Sequence, residues 1–167
     1  MQRRWLILLG AVVVIGAIVA VYSVSSKKLP ELNEDSFPQA LAGMPLVHLV
    51  TGEQAIAQIS KLHGTNIPIE NGYIAMYRSE DRQAVLWISE SATSEEAEEL
   101  LKIMDEKMPG SSAFSNYTVK VIDGKTYYYV TGIGMHNYYY LKGNRVYWLG
   151  TNVEPAEDIL KEAVKLF

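Results

Sequence analysis

Apolar residues follow three different patterns along this chain, and each predicts a different kind of element. The first is an unbroken run. From Trp5 to Tyr22, WLILLGAVVVIGAIVAVY, eighteen residues pass without a charge. As a helix rising about 1.5 Å per residue, the run would extend roughly 27 Å, close to the hydrocarbon thickness of a bilayer. Arg3 and Arg4 precede it, Lys27 and Lys28 follow it, and Trp5 and Tyr22 stand where interfacial aromatics sit. It therefore predicts a single membrane-spanning helix. A cleaved signal peptide is the alternative, with Val21-Tyr22-Ser23 as a cleavage site, but the run exceeds the roughly 7–15 apolar residues of a signal core.

The second pattern is helical. Thr51-Gly52-Glu53-Gln54 reads as a capping box, after which Ala55, Ile56, Ile59 and Leu62 share one face, and Gly64 is placed to stop the helix. This predicts a helix over 52–63. Thr93-Ser94-Glu95-Glu96 repeats the box, and Ala97, Leu100, Leu101, Met104 and Met108 predict a second helix over 94–108, ended by Pro109-Gly110. Pro155 opens a third, lined by Ile159, Leu160, Ala163, Val164 and Phe167. The starts of the first two helices are similar, TGEQAIAQISKL and TSEEAEELLKIM. Shared capping chemistry explains this, with a duplicated helix–hairpin unit as the alternative.

The third pattern is strand-like. Leu46–Val50, Tyr73–Arg78 and Gln83–Ser89 read as strands, and Ala84–Ile88, apolar on both faces, as a central one. Asp123-Gly124 and Gly143-Asn144 are hairpin dipeptides, and Gly132-Ile133-Gly134 breaks the chain between them. Four strands follow, near 117–122, 125–131, 135–141 and 145–150. Between Ser23 and Ala42 neither period is sustained, and Pro30, Asn33, Ser36 and Pro38 read as a tether. The expected organisation is a membrane anchor with basic flanks (1–28), a tether (29–42) and one domain (43–167). Its order, β-α-β-β-α-β-β-β-β-α, makes the class α+β, with helices on a mostly antiparallel sheet of about six to seven strands.

Charge narrows the partners. Beyond residue 28 the chain carries 11 basic and 19 acidic residues, a net −8 against −4 for the whole chain. Such a domain is ill-suited to nucleic acid. The absence of cysteine excludes disulfides, thiol nucleophiles and cysteine-ligated metals. The two arginines before the run and two lysines after it barely discriminate orientation. A short basic head left in the cytoplasm puts the domain on the extracytoplasmic side.

Candidate chemistry gathers in the last four strands. Tyr127-Tyr128-Tyr129 and Tyr138-Tyr139-Tyr140 lie on neighbouring strands, with Tyr147 and Trp148 on the next. Alternation places Tyr127 and Tyr129 on one face and Tyr128 on the other, and sets Tyr138 and Tyr140 against Tyr139. These ladders have two readings. One is strand stabilisation; the other is a flat docking face for a protein, glycan or apolar ligand, formed by Tyr127, Tyr129, His136, Tyr138, Tyr140 and Trp148. His136, beside the Gly-Ile-Gly turn, is the most suggestive histidine, whereas His48 and His63 stand apart, and no pair has a ligand spacing. The acids of the second helix fit a solvated face. No nucleotide loop, nucleophile elbow or zinc motif is present, and no cofactor is expected.

The segments Gly52-Glu53-Gln54-Ala55, Leu62-His63-Gly64, Gly72-Tyr73, Ala84–Ile88, Gly134–Tyr140 and Val146–Leu149 resemble uncharacterised prokaryotic proteins with one N-terminal membrane helix and a small α+β domain. That resemblance implies the same architecture and brings no activity. The sequence thus points to a membrane-anchored binding or accessory domain that docks a protein partner, one version of which makes it a subunit of a larger membrane complex. A small-ligand sensor or carrier is the alternative, and a hydrolase or transferase is the remaining one.

Overall fold

The computed structural model describes residues 28–63 and 67–167. The apolar run Trp5–Tyr22 and the helix stop at Gly64 lie outside the described residues. Among those described, no helix is long and apolar enough to cross a membrane.

Eight strands form one antiparallel sheet: β1 (Ala40–Leu41), β2 (Met44–Thr51), β3 (Asn71–Ser79), β4 (Arg82–Glu90), β5 (Ser115–Ile122), β6 (Lys125–Gly132), β7 (Met135–Lys142) and β8 (Arg145–Thr151). Three helices accompany them: α1 (Gly52–His63), α2 (Ser94–Lys107) and α3 (Ala156–Leu166). The sheet has one more strand than the patterning predicts, because two residues at Ala40–Leu41 turn back on β2 through Ala42 and Gly43, both at positive φ. Spatial order is β1-β2-β3-β4-β8-β7-β6-β5. The two halves of the chain therefore meet where β4 pairs with β8, from Ala84 opposite Thr151 to Glu90 opposite Arg145.

Both faces are covered. On one face α1 packs Ala55 and Ile59 on Val50 and Ile74, and α2 packs Ala97, Leu100 and Met104 on Val130, Tyr139 and Val146. The alternate residues Tyr73, Ala75, Tyr77, Leu86, Ile88, Tyr147 and Leu149 form the larger core on the other face, under Ile159, Leu160 and Ala163 of α3. β4 is central, as its two-sided apolar run predicts.

Two local differences from the patterning have clear causes. Thr51 does not cap α1; it is the last residue of β2, paired with Tyr73, and Gly52 makes the sharp strand-to-helix turn at φ +61°. At α2, Thr93 Oγ1 accepts the Glu96 amide at 3.1 Å as expected, but the Glu96 carboxylate reaches the Ala92 amide, also at 3.1 Å, instead of closing the box on Thr93. Residues 28–42 hold little regular structure beyond a short 3-10 turn at Glu34–Ser36 and β1, yet Phe37 and Leu41 are buried in the larger core. That segment is part of the packed domain.

Its near end is fastened too. Arg145 and Glu90 form a buried ion pair across β4 and β8, and Arg145 also donates to the Pro30 carbonyl. Asn144 Oδ1 accepts from the Leu29 amide at 3.1 Å, and Lys28 meets Glu70 at 3.2 Å. The chain thus enters the domain beside the β7–β8 turn, and the β6–β7 turn lies at the opposite end of the sheet.

Candidate functional site

The tyrosine triplets alternate between faces as their spacing demands, and a helix-covered core receives each set. Toward α2, Tyr128, Tyr139 and Trp148 stack with ring centroids 5.0 and 5.2 Å apart. Toward α3, Tyr140 lies 5.0 Å from Tyr147, nearly parallel, and Tyr127 meets Tyr140 edge-on at 5.2 Å. Tyr127, Tyr138 and Tyr140 are buried. Burial pushes the Tyr127 and Tyr138 phenols up and the Tyr140 phenol far up, so all three stay neutral. Trp148 is half-buried on the opposite face, its indole N–H donating to Asn137 Oδ1 at 3.1 Å. The six candidate residues therefore do not make one flat surface. The structure brings Tyr129 and His136 together at the surface, with Tyr138 behind them.

Those two sit on adjacent strands, and their side chains share the α3 face. The register sets Tyr129 opposite Tyr138 and Thr131 opposite His136. The Tyr129 hydroxyl lies 2.7 Å from His136 Nδ1, and His136 Nε2 lies 2.6 Å from Glu154 Oε1 in the connection to α3. A carboxylate only accepts, so Nε2 carries a proton toward Glu154, and in the neutral ring the phenol donates to Nδ1. From β5, Lys120 places its ammonium 4.3 Å from the Tyr129 ring centroid and donates to the Tyr138 hydroxyl at 3.4 Å. Burial raises the Tyr129 phenol, with the neighbouring Tyr138 adding and Lys120 offsetting. Because both imidazole nitrogens are engaged, a metal or a substrate proton could be taken up only by breaking one of these bonds. The arrangement ties β5, β6, β7 and the start of α3 into one polar corner. Glu154, 70% exposed, gives that corner an outward negative charge.

Beyond the corner is the β6–β7 turn. Ile133 (φ +55°) and Gly134 (φ +71°) form it, in the conformation that favours Asn-Gly. Ile133 is β-branched, left-handed and 80% exposed. Such a residue costs about 1–3 kcal/mol in backbone strain and gains nothing from burial. Next to the corner lies the Ser115 end of β5, the outermost strand, whose outer edge has no partner strand among the described residues; Val119 and Val121, exposed at 49% and 72%, lie farther along it on the α2 face.

Sequence reasoning missed Glu154, Lys120 and the role of Ile133. Only Ile133 was legible in advance, as a β-branched residue where a tight turn calls for Asn. It also missed Asp105, assigned to a solvated face. Its Oδ1 accepts from Tyr117 at 2.7 Å and from Tyr139 at 3.2 Å, locking α2 to β5 and β7. His63 Nδ1 bonds to the Ile59 carbonyl at 2.8 Å within its own helix, and His48 stands apart on β2. Among the described residues no cluster of three or more histidines and carboxylates is set to hold a metal ion.

Fold and corner together define an α+β domain with a fully antiparallel eight-stranded sheet, covered on both faces. Comparison with family models, with curated proteins and with solved structures finds no match to this chain.

Proposed function

We propose that this chain is a membrane-anchored, non-catalytic binding domain that docks a protein partner at the β5–β6–β7 corner, on the extracytoplasmic side. Ile133 carries this reading. An isoleucine held at positive φ and exposed to water is kept at a cost to the domain's own stability, and a partner pocket that receives its side chain gives a reason for keeping it. Glu154 and Lys120 flank it as polar rim, and the free edge of β5 offers backbone groups for an added strand. The uncharged run Trp5–Tyr22 supplies the anchor. Only five residues separate Tyr22 from Lys28, which the domain holds beside the β7–β8 turn, so on this reading Ile133 points away from the bilayer.

Site-specific photo-crosslinking in intact cells tests the proposal, with the probe at Ser115, which the register sets opposite Thr131 next to the turn, or at Gly134, and a control at Glu53 on α1. A discrete adduct from the first two positions, absent at Glu53 and lost on Ile133→Asn, is the expected result. A chain that stays monomeric in mild detergent and gives no adduct from either corner position overturns it. A reporter fused after Phe167 reads the side of the membrane.

A further inference from the structure

We propose that Tyr129 is a redox-active tyrosine, which yields an electron to a one-electron oxidant of the radical class while its proton passes to His136. A phenol without a base resists such oxidation, because the radical cation it would leave is strongly acidic and must shed its proton at once. The phenol that is oxidised is therefore one that already donates to a base. Tyr129 does so: its hydroxyl lies 2.7 Å from His136 Nδ1, and His136 Nε2 lies 2.6 Å from Glu154 Oε1. When the electron leaves, the phenol O–H bond breaks, its proton bonds to Nδ1, and the oxidant is reduced by one electron. The products are a neutral tyrosyl radical and an imidazolium. Glu154 stabilises that cation and, being 70% exposed, connects it to water.

Among the described residues Tyr129 is the only tyrosine hydrogen-bonded to an imidazole. Tyr117 and Tyr139 share the Asp105 carboxylate. A carboxylate is the weaker base, protonating in water roughly 2.5 pH units below an imidazole. Tyr73 donates to the Leu32 carbonyl, which takes up no proton, and the Tyr77 and Tyr147 hydroxyls are buried without a partner. Such phenols can pass an electron vacancy along but cannot keep it. Their array leads to Tyr129. On the α3 face Tyr140 lies 5.0 Å from Tyr147 and 5.2 Å from Tyr127. Tyr138, two residues from Tyr140 on the same face of β7, lies 5.0 Å from Tyr129. Tyr129 is the half-exposed end of this array, where an oxidant in solution reaches it. Lys120 fixes the order of events. Its ammonium, 4.3 Å from the Tyr129 ring centroid, penalises a positively charged ring and leaves a neutral one unaffected. Electron and proton must therefore leave together.

The test oxidises the full-length chain in neutral detergent with azidyl radicals, which become azide on taking up an electron, and follows the product by optical and EPR spectroscopy. Oxidation should converge on one long-lived neutral tyrosyl radical that forms more slowly in D2O than in H2O. Pulsed EPR should resolve a coupling between that radical and an imidazole nitrogen, a measurement that needs no variant. Tyr129→Phe should remove most of the long-lived signal, whereas Tyr117→Phe should leave it unchanged. His136→Gln, which keeps a polar side chain but supplies no base, should slow formation of the radical by at least about tenfold. Circular dichroism verifies that each variant is folded. The proposal fails if the radical shows no nitrogen coupling or no solvent isotope effect. It fails equally if the long-lived signal persists in Tyr129→Phe, disappears in Tyr117→Phe, or forms at an unchanged rate in folded His136→Gln.

Discussion

Ile133 and Glu90 show how differently single residues contribute. Ile133 works against the fold: replacing it with Asn creates the Asn-Gly pair that this turn favours, and it removes exposed apolar area without opening a cavity. Ile133→Asn should stabilise the domain by about 1 kcal/mol in urea denaturation, while abolishing the crosslinked adduct. A variant both firmer and unable to dock would separate function from stability. Glu90 works for the fold. It is the only carboxylate paired with the buried Arg145 guanidinium among the described residues. Glu90→Ala leaves that charge buried and alone, and should cost about 3–5 kcal/mol. Spacing foretold neither residue's partner: Glu90 and Arg145 are 55 positions apart and meet only because β4 pairs with β8.

Elements formed where the local pattern was strongest. The spans of α1 and of the last four strands follow from hydrophobic period and Gly-containing turns, which act over a few residues and so can be read locally. What lies between elements is less legible. Gly132 ends β6, and a Cβ there would come within 2.4 Å of Phe114 Cδ1 and 2.5 Å of the Ala113 carbonyl, so the loop before β5 packs directly on the glycine. Gly110, nearby in sequence, has open space around it. Gly132→Ala should therefore lower stability by about 1–3 kcal/mol, whereas Gly110→Ala should change it by less than about 0.5 kcal/mol, both by chemical denaturation. The capping boxes teach the same lesson. Thr93 caps α2 directly, while at α1 the left-handed Gly52, at φ +61°, stands between Thr51 and the helix and turns the chain out of β2.

At the scale of the whole molecule, the tyrosines dominate. Burial raises the phenol of Tyr77 to about 12, and desolvation with the Asp105 contact raises Tyr117 to about 12. Tyr139 and Tyr140 are driven higher still, chiefly by burial. A phenol that ionises near pH 10 when unfolded and later when folded favours unfolding as pH rises through that interval. The contribution is intact below about pH 10 and is lost progressively above it. The denaturation midpoint should thus fall steeply between about pH 10 and 12, with most tyrosinate absorbance appearing together with unfolding. Early titration of the bulk of the phenols in a folded domain would contradict the burial described.

From the sequence alone follow the α+β class, nearly every element, the alternation of the tyrosine ladders and the −8 charge of the domain. These depend on periodicity, turn chemistry and composition, which are properties of neighbours along the chain. Tertiary structure alone decided that both ladders are covered, that residues 28–42 pack into the domain, and that His136 reaches Glu154. It alone decided that the β6–β7 ladder stops at Tyr128 opposite Tyr139. Each of these depends on which distant strands pair and which face each helix covers. That choice is made by the fit of whole surfaces in three dimensions, and no window of neighbouring residues contains it.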